Sequence, residues 1–322
     1  MKILVALALV FLFVGQASAI NAEDGLSVIT GTQVTYSLTV ALLKDTDIET
    51  VNIPADGRRF DALKDYIARR TDQLGETFAA ADAVVSMTNV LSADPIYRFA
   101  RQFNINIVNI DAAQPWSFDA SGVTVVEVPN SNVDWFEPDD EAGHATANSP
   151  YFWLSLSNAV RMADLVGSDL ARVFPIQQKT ILANRNQLKQ DLLAISREYQ
   201  NKFIEVADNT VFALSDEFVY LTNDFALYVD GYFIKQDINW TDADVKRFCE
   251  YLKRQGIKTV IHKWQPDEKI TAAINEAGAQ LVILNNADPG LAEDRKLIED
   301  GYQQILRSNL EALYQAMNVV VK

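Results

Sequence analysis

Short runs of aliphatic and β-branched residues alternate with helix-length segments along most of this chain of 322 residues. Such alternation is typical of parallel β-strands connected by crossover helices, because each helix returns the chain to the start of the next strand. The sequence therefore predicts an α/β fold. The predicted strands are 26–30, 48–53, 83–86, 106–110, 123–128, 211–214, 259–262 and 281–284, and the main predicted helices are 34–43, 60–80, 95–103, 157–173, 216–228, 241–255, 267–277 and 291–319.

The longest helical pattern, 177–206, divides this alternation into two halves. Its apolar residues recur mostly at steps of three and four, which places them on one face of a helix. At about 1.5 Å per residue, such a helix would extend about 45 Å. We therefore predict two lobes, at residues 20–174 and 207–322, each with a mainly parallel sheet flanked by helices. A long rigid helix at 175–206 joins them.

Residues 1–19 have the pattern of an export signal. Met1-Lys2 gives a short basic start, 3–14 is apolar, and Ala17 and Ala19 are the small residues that a signal peptidase recognises. The apolar run is shorter than the roughly 20 residues that a membrane-spanning helix needs. We predict cleavage after Ala19 and a mature protein in the periplasm, without membrane insertion.

Composition excludes several kinds of site and partner. The chain has 28 Lys and Arg against 43 Asp and Glu, a net charge of −15. This balance argues against nucleic acid, because a phosphate backbone requires clustered basic side chains. The one cysteine, Cys249, rules out an intrachain disulfide and an all-cysteine zinc site. The two histidines, His144 and His262, rule out a site with three histidines.

An acidic loop at 130–149 ends the strand-rich part of the first lobe. We interpret it as a solvated surface loop, and leave open a role in gathering cations. Because ligands of open parallel sheets bind at the carboxyl ends of the strands, we expect a site in the cleft between the lobes. The loop contains Asp134, Glu137, Asp139, Asp140, Glu141 and His144.

A recognisable series of segments runs through the chain. Residues 81–85 are Ala-Asp-Ala-Val-Val, 151–155 are Tyr-Phe-Trp-Leu-Ser, 215–220 are Ser-Asp-Glu-Phe-Val-Tyr, and 258–261 are Lys-Thr-Val-Ile, followed by Gln265. In order and spacing these segments resemble the ZnuA/TroA-like receptors, the periplasmic zinc- and manganese-binding proteins of ABC transporters. The resemblance covers nearly all of the mature chain. It implies a two-lobed receptor that delivers a small solute or metal ion to an ABC permease in the inner membrane.

The resemblance also implies a metal held by about four ligands, mostly His and carboxylate, and this chain departs from that set. Arginine cannot become a ligand, and neutral Tyr, Ser and Asn oxygens bind a borderline-soft cation poorly. We therefore expect the usual zinc site to be absent and assign no cofactor. The residues at or near the ligand positions are Arg58 or Arg59, Tyr151, Ser215, Lys263, and Asn285 or, if the turn shifts, Asp288.

Three alternatives remain open for the cleft, and the sequence favours the first. In the first, the cleft captures an anion, a metal chelate or another small solute. Alternatively, Arg58 or Arg59 pairs with Glu217 or Asp216, and the protein is a structural or partner-binding relative with an internally closed cleft. In the third, a displaced, oxygen-rich site binds a divalent metal such as Mn²⁺ or Ca²⁺. The candidate cleft residues are Arg58, Arg59, Tyr151, Ser215, Glu217, Asn285 and Asp288, and the metal candidates are Glu217, Asp216, His262 and Asp288.

The sequence carries none of the short motifs that mark common enzymes. It has no Gly-x-Ser-x-Gly, no Gly-rich phosphate loop, no His-Glu-x-x-His and no Cys-x-x-Cys. We therefore predict a receptor and not an enzyme.

Overall fold

Two four-stranded parallel sheets, with a long helix between them in the chain, form the frame of the protein in a computed structural model. The structure describes residues 25–117, 120–135 and 147–318. The predicted signal peptide lies outside the described residues, as does most of the predicted acidic loop with His144. The predicted α/β architecture, two lobes with parallel sheets flanked by helices, is confirmed.

The first lobe contains a sheet with the strand order β2-β1-β3-β4, in which all strands are parallel. The two central strands are almost completely buried, which explains why their sequences are apolar on both faces. The elements are β1 (Ser27–Thr30), α1 (Gln33–Leu43), β2 (Glu49–Asn52), α2 (Phe60–Ala68), α3 (Thr71–Ala80), β3 (Ala83–Ser86), α4 (Ile96–Phe103) and β4 (Val108–Asp111).

Two long helices follow, α5 (Leu156–Val173) and α6 (Gln178–Ile204). The 27 residues of α6 extend about 40 Å and lie within the range predicted for the connecting helix. Helix α6 packs against α5 and α1. No helix in the described ranges is long and apolar enough to cross a membrane. The buried stripe of α6 is Ile181, Leu188, Leu192, Ile195, Tyr199 and Phe203.

The second lobe repeats the strand pattern of the first, with the order β6-β5-β7-β8 and parallel pairing throughout. In both sheets the carboxyl ends of the strands lie at one edge, so the loops that follow them are grouped together. The elements are β5 (Thr210–Ala213), α7 (Val219–Asp224), β6 (Tyr228–Tyr232), α8 (Asp242–Gln255), β7 (Thr259–His262), α9 (Glu268–Glu276), β8 (Gln280–Ile283), β9 (Ala292–Glu293), β10 (Lys296–Leu297) and α10 (Gly301–Asn318).

One continuous hydrophobic core connects the lobes. Val28 and Ile110 of the first sheet belong to the same buried cluster as Val211 and Ile261 of the second sheet, together with Leu192 of α6. A close-packed interior of this kind resists relative movement, because separating the lobes exposes apolar surface to water. The sheets are therefore held in a fixed relation by packing.

The predicted strand 123–128 is wrong: the segment is extended, but it forms only an isolated bridge, at Glu127. Its hydrogen-bond partners are side chains together with a few separate backbone groups, among them the carbonyls of Ala113 and Ala147. The amide of Asn158 bonds to both the N–H and the carbonyl of Thr124, at 2.9 Å each, and the Tyr220 hydroxyl accepts from Val126 N at 3.0 Å. An apolar, β-branched run does not reveal whether the extended backbone bonds to a neighbouring strand or to separate groups elsewhere in the fold.

Strand β6 was not predicted, because its sequence, Tyr-Val-Asp-Gly-Tyr, lacks an apolar run. Its glycine is required by packing. A Cβ atom on Gly231 would lie 2.6 Å from the Phe212 ring of the neighbouring strand. The pairing also shifts register between Val211 and Phe212, which marks a bulge.

Two predicted helices are interrupted in the structure. The predicted helix 60–80 is two helices, α2 and α3, separated at Arg69–Arg70. The hydroxyl of Thr71 donates to the carbonyls of Ile67 and Ala68, which satisfies backbone groups at the end of α2. The predicted helix 291–319 begins instead with the β9–β10 hairpin.

Candidate functional site

The loops after β2, β5, β7 and β8 meet the turn that precedes α5 at the junction of the two lobes. We call the side chains that meet there the cleft cluster. The cluster joins residues far apart in the chain, because each follows the carboxyl end of a different strand or begins a different helix. Its members are Phe60, Tyr151, Glu217, Lys263, Asn286 and Asp288.

Glu217 is the centre of the cleft cluster and is only 3% exposed. Its Oε1 accepts from the Tyr151 hydroxyl at 3.1 Å and contacts the ammonium of Lys263, and its Oε2 accepts from Asn286 Nδ2 at 2.8 Å. Its backbone N–H donates to Ser215 Oγ at 3.3 Å. Both carboxylate oxygens therefore have protein partners, and one of these partners is a full positive charge.

Tyr151 lies on an aromatic layer that separates the cleft cluster from the core. Its ring packs against Trp153 at 5.5 Å and Phe60 at 5.9 Å between centroids. Burial and the nearby negative charge of Glu217 raise the pKa of Tyr151, so the hydroxyl stays protonated. It therefore acts as a neutral hydrogen-bond donor.

The loop after β8 is fixed by side chains from elsewhere in the fold. Asn309 of α10 bonds to both backbone groups of Asn285, with Nδ2 donating to O at 2.7 Å and Oδ1 accepting from N at 2.8 Å. Trp153 Nε1 donates to Asn286 O at 2.8 Å, and the Tyr302 hydroxyl donates to Trp153 O. These bonds place the Asn286 amide against Glu217, across the lobe junction from Tyr151.

Asp288 also connects the two lobes, because its Oδ1 accepts from Phe60 N at 3.0 Å. Burial raises the pKa of Asp288 to about 7, against the opposing effects of the Phe60 N–H and of Arg59. The charges of Asp61 and Glu217 raise it further. Near neutral pH this carboxyl group is therefore divided between its charged and neutral forms.

The two arginines lie at the exposed edge of the site and not inside the cleft cluster. Arg58 Nη1 lies 3.8 Å from Asp56, and Arg59 Nη2 lies 2.7 Å from Asp61; the arginine side chains are 46% and 66% exposed. Nearby carboxylates in the same turn hold them, so neither has to reach into the cleft. The predicted pairing of an arginine with Glu217 or Asp216 is therefore wrong, and Lys263 makes that ion pair instead.

The remaining candidates have local roles in the structure. Asn285 is exposed, and its Oδ1 accepts from Ala287 N at 2.8 Å within the same loop. Ser215 is buried and bonds to the backbone of Glu217. Asp216 is partly buried, and burial raises its pKa. None of the three bonds to the Glu217 carboxylate in the described residues.

His262 is buried at the end of β7, and neither ring nitrogen has a hydrogen-bond partner in the described residues. Its Nε2 lies 3.8 Å from Asp237, longer than a hydrogen bond. Burial lowers the pKa of His262, so its ring is neutral at neutral pH. It does not contact the Glu217 carboxylate.

The donor set of the cleft cluster does not fit a bare transition metal. Zinc prefers imidazole, thiolate or carboxylate ligands, whereas a lysine ammonium and a protonated tyrosine surround Glu217. Throughout the described ranges, no group of three or more His, Cys, Asp or Glu side chains could hold a metal ion. From the sequence, Lys263 was placed near a ligand position but was not chosen as a site residue. Asn286 was missed, and the one hint of it in the sequence is that it follows Asn285, which was chosen.

Two parallel sheets, a long connecting helix and a polar cluster at the junction of the lobes define the architecture of a two-lobed solute receptor. The profile of the ZnuA family, described as zinc-uptake complex component A, periplasmic, matches residues 58–316. This chain therefore belongs to the ZnuA family of solute-binding receptors.

Individual relatives are distant. A protein of Treponema pallidum (strain Nichols) that is named for metal binding is 24% identical over 244 residues, which cover 73% of this chain and 72% of that protein. The zinc-binding protein AdcA of Streptococcus pyogenes serotype M1 is 22% identical over 186 residues, 56% of this chain but only 36% of AdcA. The chain thus aligns with about a third of AdcA.

Solved structures of low identity share the fold. A mutant of FpvC from Pseudomonas aeruginosa superposes with a TM-score of 0.71 at 17% identity, covering 91% of this chain and 99% of FpvC. The laminin-binding adhesin Lmb of Streptococcus agalactiae gives a TM-score of 0.64 at 19% identity, covering 91% of this chain and 100% of Lmb.

The pKa of Asp288 leads to a prediction about stability. An acid whose pKa is raised by folding stabilises the protein most at low pH, and this contribution is lost as pH rises through about 7. Asp288→Asn keeps the shape without the charge. We expect the stability of the variant relative to the native protein to increase by roughly 1–2 kcal/mol from pH 5 to pH 8, measured by urea unfolding.

The matched control is Asp61→Asn, at a carboxylate that is 55% exposed and lies in the same region. Its stability relative to the native protein should change little over that pH range. If the free energy of unfolding of Asp288→Asn minus that of the native protein stays constant or falls from pH 5 to pH 8, the pKa of Asp288 is not raised by folding.

Proposed function

We propose that this protein is a periplasmic solute-binding receptor of an ABC transporter that captures a solute other than a bare zinc ion between its lobes. The solute is an anion, a metal chelate or a non-zinc cation, and the receptor delivers it to a permease in the inner membrane. Membership of the ZnuA family supports the receptor function and the periplasmic location. The predicted signal peptide, with cleavage after Ala19, and the predicted lobe boundaries agree with this proposal.

The observation that carries the proposal is the ion pair between Lys263 and Glu217. A carboxylate that serves as a metal ligand is neutralised by the metal ion, but here an ammonium of the same chain already neutralises the buried carboxylate. A zinc ion at Glu217 would have to displace Lys263 or lie beside its positive charge. Both alternatives oppose zinc binding.

The surroundings of the cleft cluster favour a polar solute. A cavity of about 480 Å³ lies beside it, within the size range of small-molecule sites. Arg58 and Arg59 lie at the exposed edge of the site, where an anionic group would compete with Asp56 and Asp61 for their guanidinium groups. Polar residues of the cavity lining are Lys263, Asn285, Asn286, Asp288, Ser308 and Asn309.

A second candidate function is that of a structural or partner-binding relative with an internally closed cleft. The bonds that cross the lobe junction favour it, since Tyr151 bonds to Glu217, Trp153 to Asn286, and Phe60 to Asp288. In this case these hydrogen bonds close the cleft, because the Lys263–Glu217 ion pair lies within the second lobe and no arginine pair crosses the junction in the described residues. No transported ligand would then exist.

Metal titration tests the receptor proposal. The mature protein, purified without chelators, should contain no stoichiometric metal, and isothermal titration with Zn²⁺ should show no sub-micromolar site, because Lys263 occupies the carboxylate. Sub-micromolar zinc binding at one ion per chain contradicts the proposal. A thermal-shift screen of anions and metal chelates then separates the two candidate functions, because a cleft ligand raises the melting temperature and a closed cleft gives no response.

Removal of either partner of the ion pair should reveal its energetic role. Lys263→Met leaves Glu217 charged and buried, and should lower the free energy of unfolding by roughly 1–3 kcal/mol. In a double-mutant cycle measured by urea unfolding, the double variant Lys263→Met, Glu217→Gln should lose less unfolding free energy than the sum of the losses in the two single variants.

Lys253→Met is the matched control, because it breaks a lysine–glutamate pair with Glu276 in which the side chains are 44% and 71% exposed. Lys253→Met should lower the free energy of unfolding by less than about 1 kcal/mol. Equal losses for Lys263→Met and Lys253→Met, or additive losses in the cycle, mean that the pair does not neutralise a buried charge.

A further inference from the structure

Residues 288–300 follow the second sheet in the chain but are attached to the first lobe. We call this segment, which contains the β9–β10 hairpin, the strap. The backbone N–H of Leu297 donates to Ala55 O at 2.8 Å. At the other end of the strap, Asp288 Oδ1 accepts from Phe60 N at 3.0 Å. The strap therefore crosses the lobe junction, although the chain places it between β8 and α10.

Gln33, the first residue of α1, fixes the strap at two points. Its side chain is completely buried. Its Oε1 accepts from Leu291 N at 2.9 Å, and its Nε2 donates to Ile298 O at 2.9 Å. Leu291 and Ile298 are themselves bonded to each other across the base of the hairpin. One side chain of the first lobe therefore holds both arms of the hairpin.

Two glycines allow the strap to approach this side chain. Gly290 has a φ of +103°, and a Cβ atom there would lie 2.5 Å from Gln33 Cβ. A Cβ atom on Gly301, directly after the strap, would lie 2.8 Å from Gln33 Oε1. Favourable contacts between carbon atoms require about 3.5–4.0 Å. The strap therefore fits around Gln33 only because these two positions have no side chain.

The strap is otherwise poorly buried. Of residues 288–300, all within the described ranges, Leu297 alone is buried, and 292–296 and 299–300 are exposed. Segments with few buried apolar contacts open at a lower free energy than the core on which they rest. The two sheets, in contrast, share one hydrophobic core. We therefore expect the strap to detach much more often than the lobes separate.

The start of the strap also forms a wall of the cavity beside the cleft cluster. Asp288, Pro289 and Gly290 line this cavity together with Lys263 and Asn286. The same three strap residues contact the first lobe. Movement of the strap away from the first lobe therefore changes the cavity wall while the lobes keep their relative position.

We propose that the strap controls access to the cleft: it detaches from the first lobe as one unit while both sheets stay folded, and its detachment opens the cavity beside the cleft cluster. This role rests on the proposed receptor function, since a solute captured in a molecule with fixed lobes needs a local way in and out. The detachment itself requires no ligand and can be measured in the free protein.

The test is native-state hydrogen exchange, followed by NMR on the mature protein without ligand, at urea concentrations below the unfolding transition. The reporter amides are those of Phe60, Leu291 and Leu297, whose acceptors are lost on detachment. The Phe60 amide reports on the cleft because its acceptor, Asp288, lines the cavity. The reference is the amide of Leu214, which donates to Ile261 O in the second sheet.

After correction for intrinsic exchange rates, the three reporter amides should share one opening constant. This constant should depend little on urea, because detachment exposes little surface. The Leu214 amide should exchange about 100-fold or more slowly, with the steep urea dependence of global unfolding.

Two variants weaken the attachment by different contacts. Gln33→Met keeps the length of the side chain but removes both bonds to the strap, and should speed exchange of the reporter amides about tenfold or more. Leu297→Ala leaves Gln33 intact and removes the buried side chain of the strap, so it should have the same effect. It decides the question if Gln33→Met does not fold.

The matched control is Ile181→Val, at a completely buried position of the shared core in α6. It destabilises the fold without touching the strap. It should speed exchange of the Leu214 amide about threefold and leave the reporter amides unchanged, because their exchange does not require the core to open.

Three results overturn the proposal. The first is reporter amides with the urea dependence of Leu214, which means that the strap opens only when the whole protein unfolds. The second is an opening constant for Phe60 that differs from that of Leu291 and Leu297, because the strap then does not control the lobe junction. The third is unchanged reporter rates in the strap variants. The metal titration is independent of all three, so the strap and the receptor proposal can fail separately.

Discussion

A carboxylate removed from water requires a compensating charge or hydrogen-bond donors, and Glu217 has both. The Lys263 ammonium neutralises it, and Tyr151 and Asn286 each donate to one of its oxygens. Each donor reaches it from a different part of the chain. Glu217 therefore joins the turn before α5 and the loops after β7 and β8 at the lobe junction.

The fold supplies the rigidity that such an arrangement needs. A core shared by both sheets fixes the lobes, and Asn309 fixes the backbone of the loop that carries Asn286. The aromatic layer of Phe60, Tyr151 and Trp153 keeps the core side of the site apolar. A charge pair held in these surroundings is less screened by solvent than a surface pair.

Sequence reasoning succeeded where the pattern is local. Strands buried on both faces have continuous apolar runs, as in β1, β3, β5 and β7, and a helix buried along one face has apolar residues at regular steps, as in α6. Both patterns can be read from the sequence, and together they predict the α/β fold. It failed where tertiary contacts decide the structure. The segment 123–128 is bonded by Asn158 and Tyr220, which are distant in the chain, and β6 is a strand because Gly231 allows the Phe212 ring to approach.

The site shows the same limit. The sequence indicated that histidine ligands are replaced at positions 151 and 215, and in one of its three open alternatives an arginine supplied the compensating charge. Arg58 and Arg59 form ion pairs with aspartates two residues away, and Lys263, directly after a buried strand, makes the pair with Glu217. Because β7 pairs with β5 in the sheet, the loops that follow these two strands are neighbours and bring this lysine to the carboxylate.

The most direct test is crystallographic: anomalous diffraction at the zinc edge from crystals of the mature protein grown with excess Zn²⁺. The account predicts no anomalous peak within bonding distance of Glu217 and density that joins its carboxylate to Lys263 Nζ. A peak coordinated by Glu217, with the lysine turned away, contradicts it.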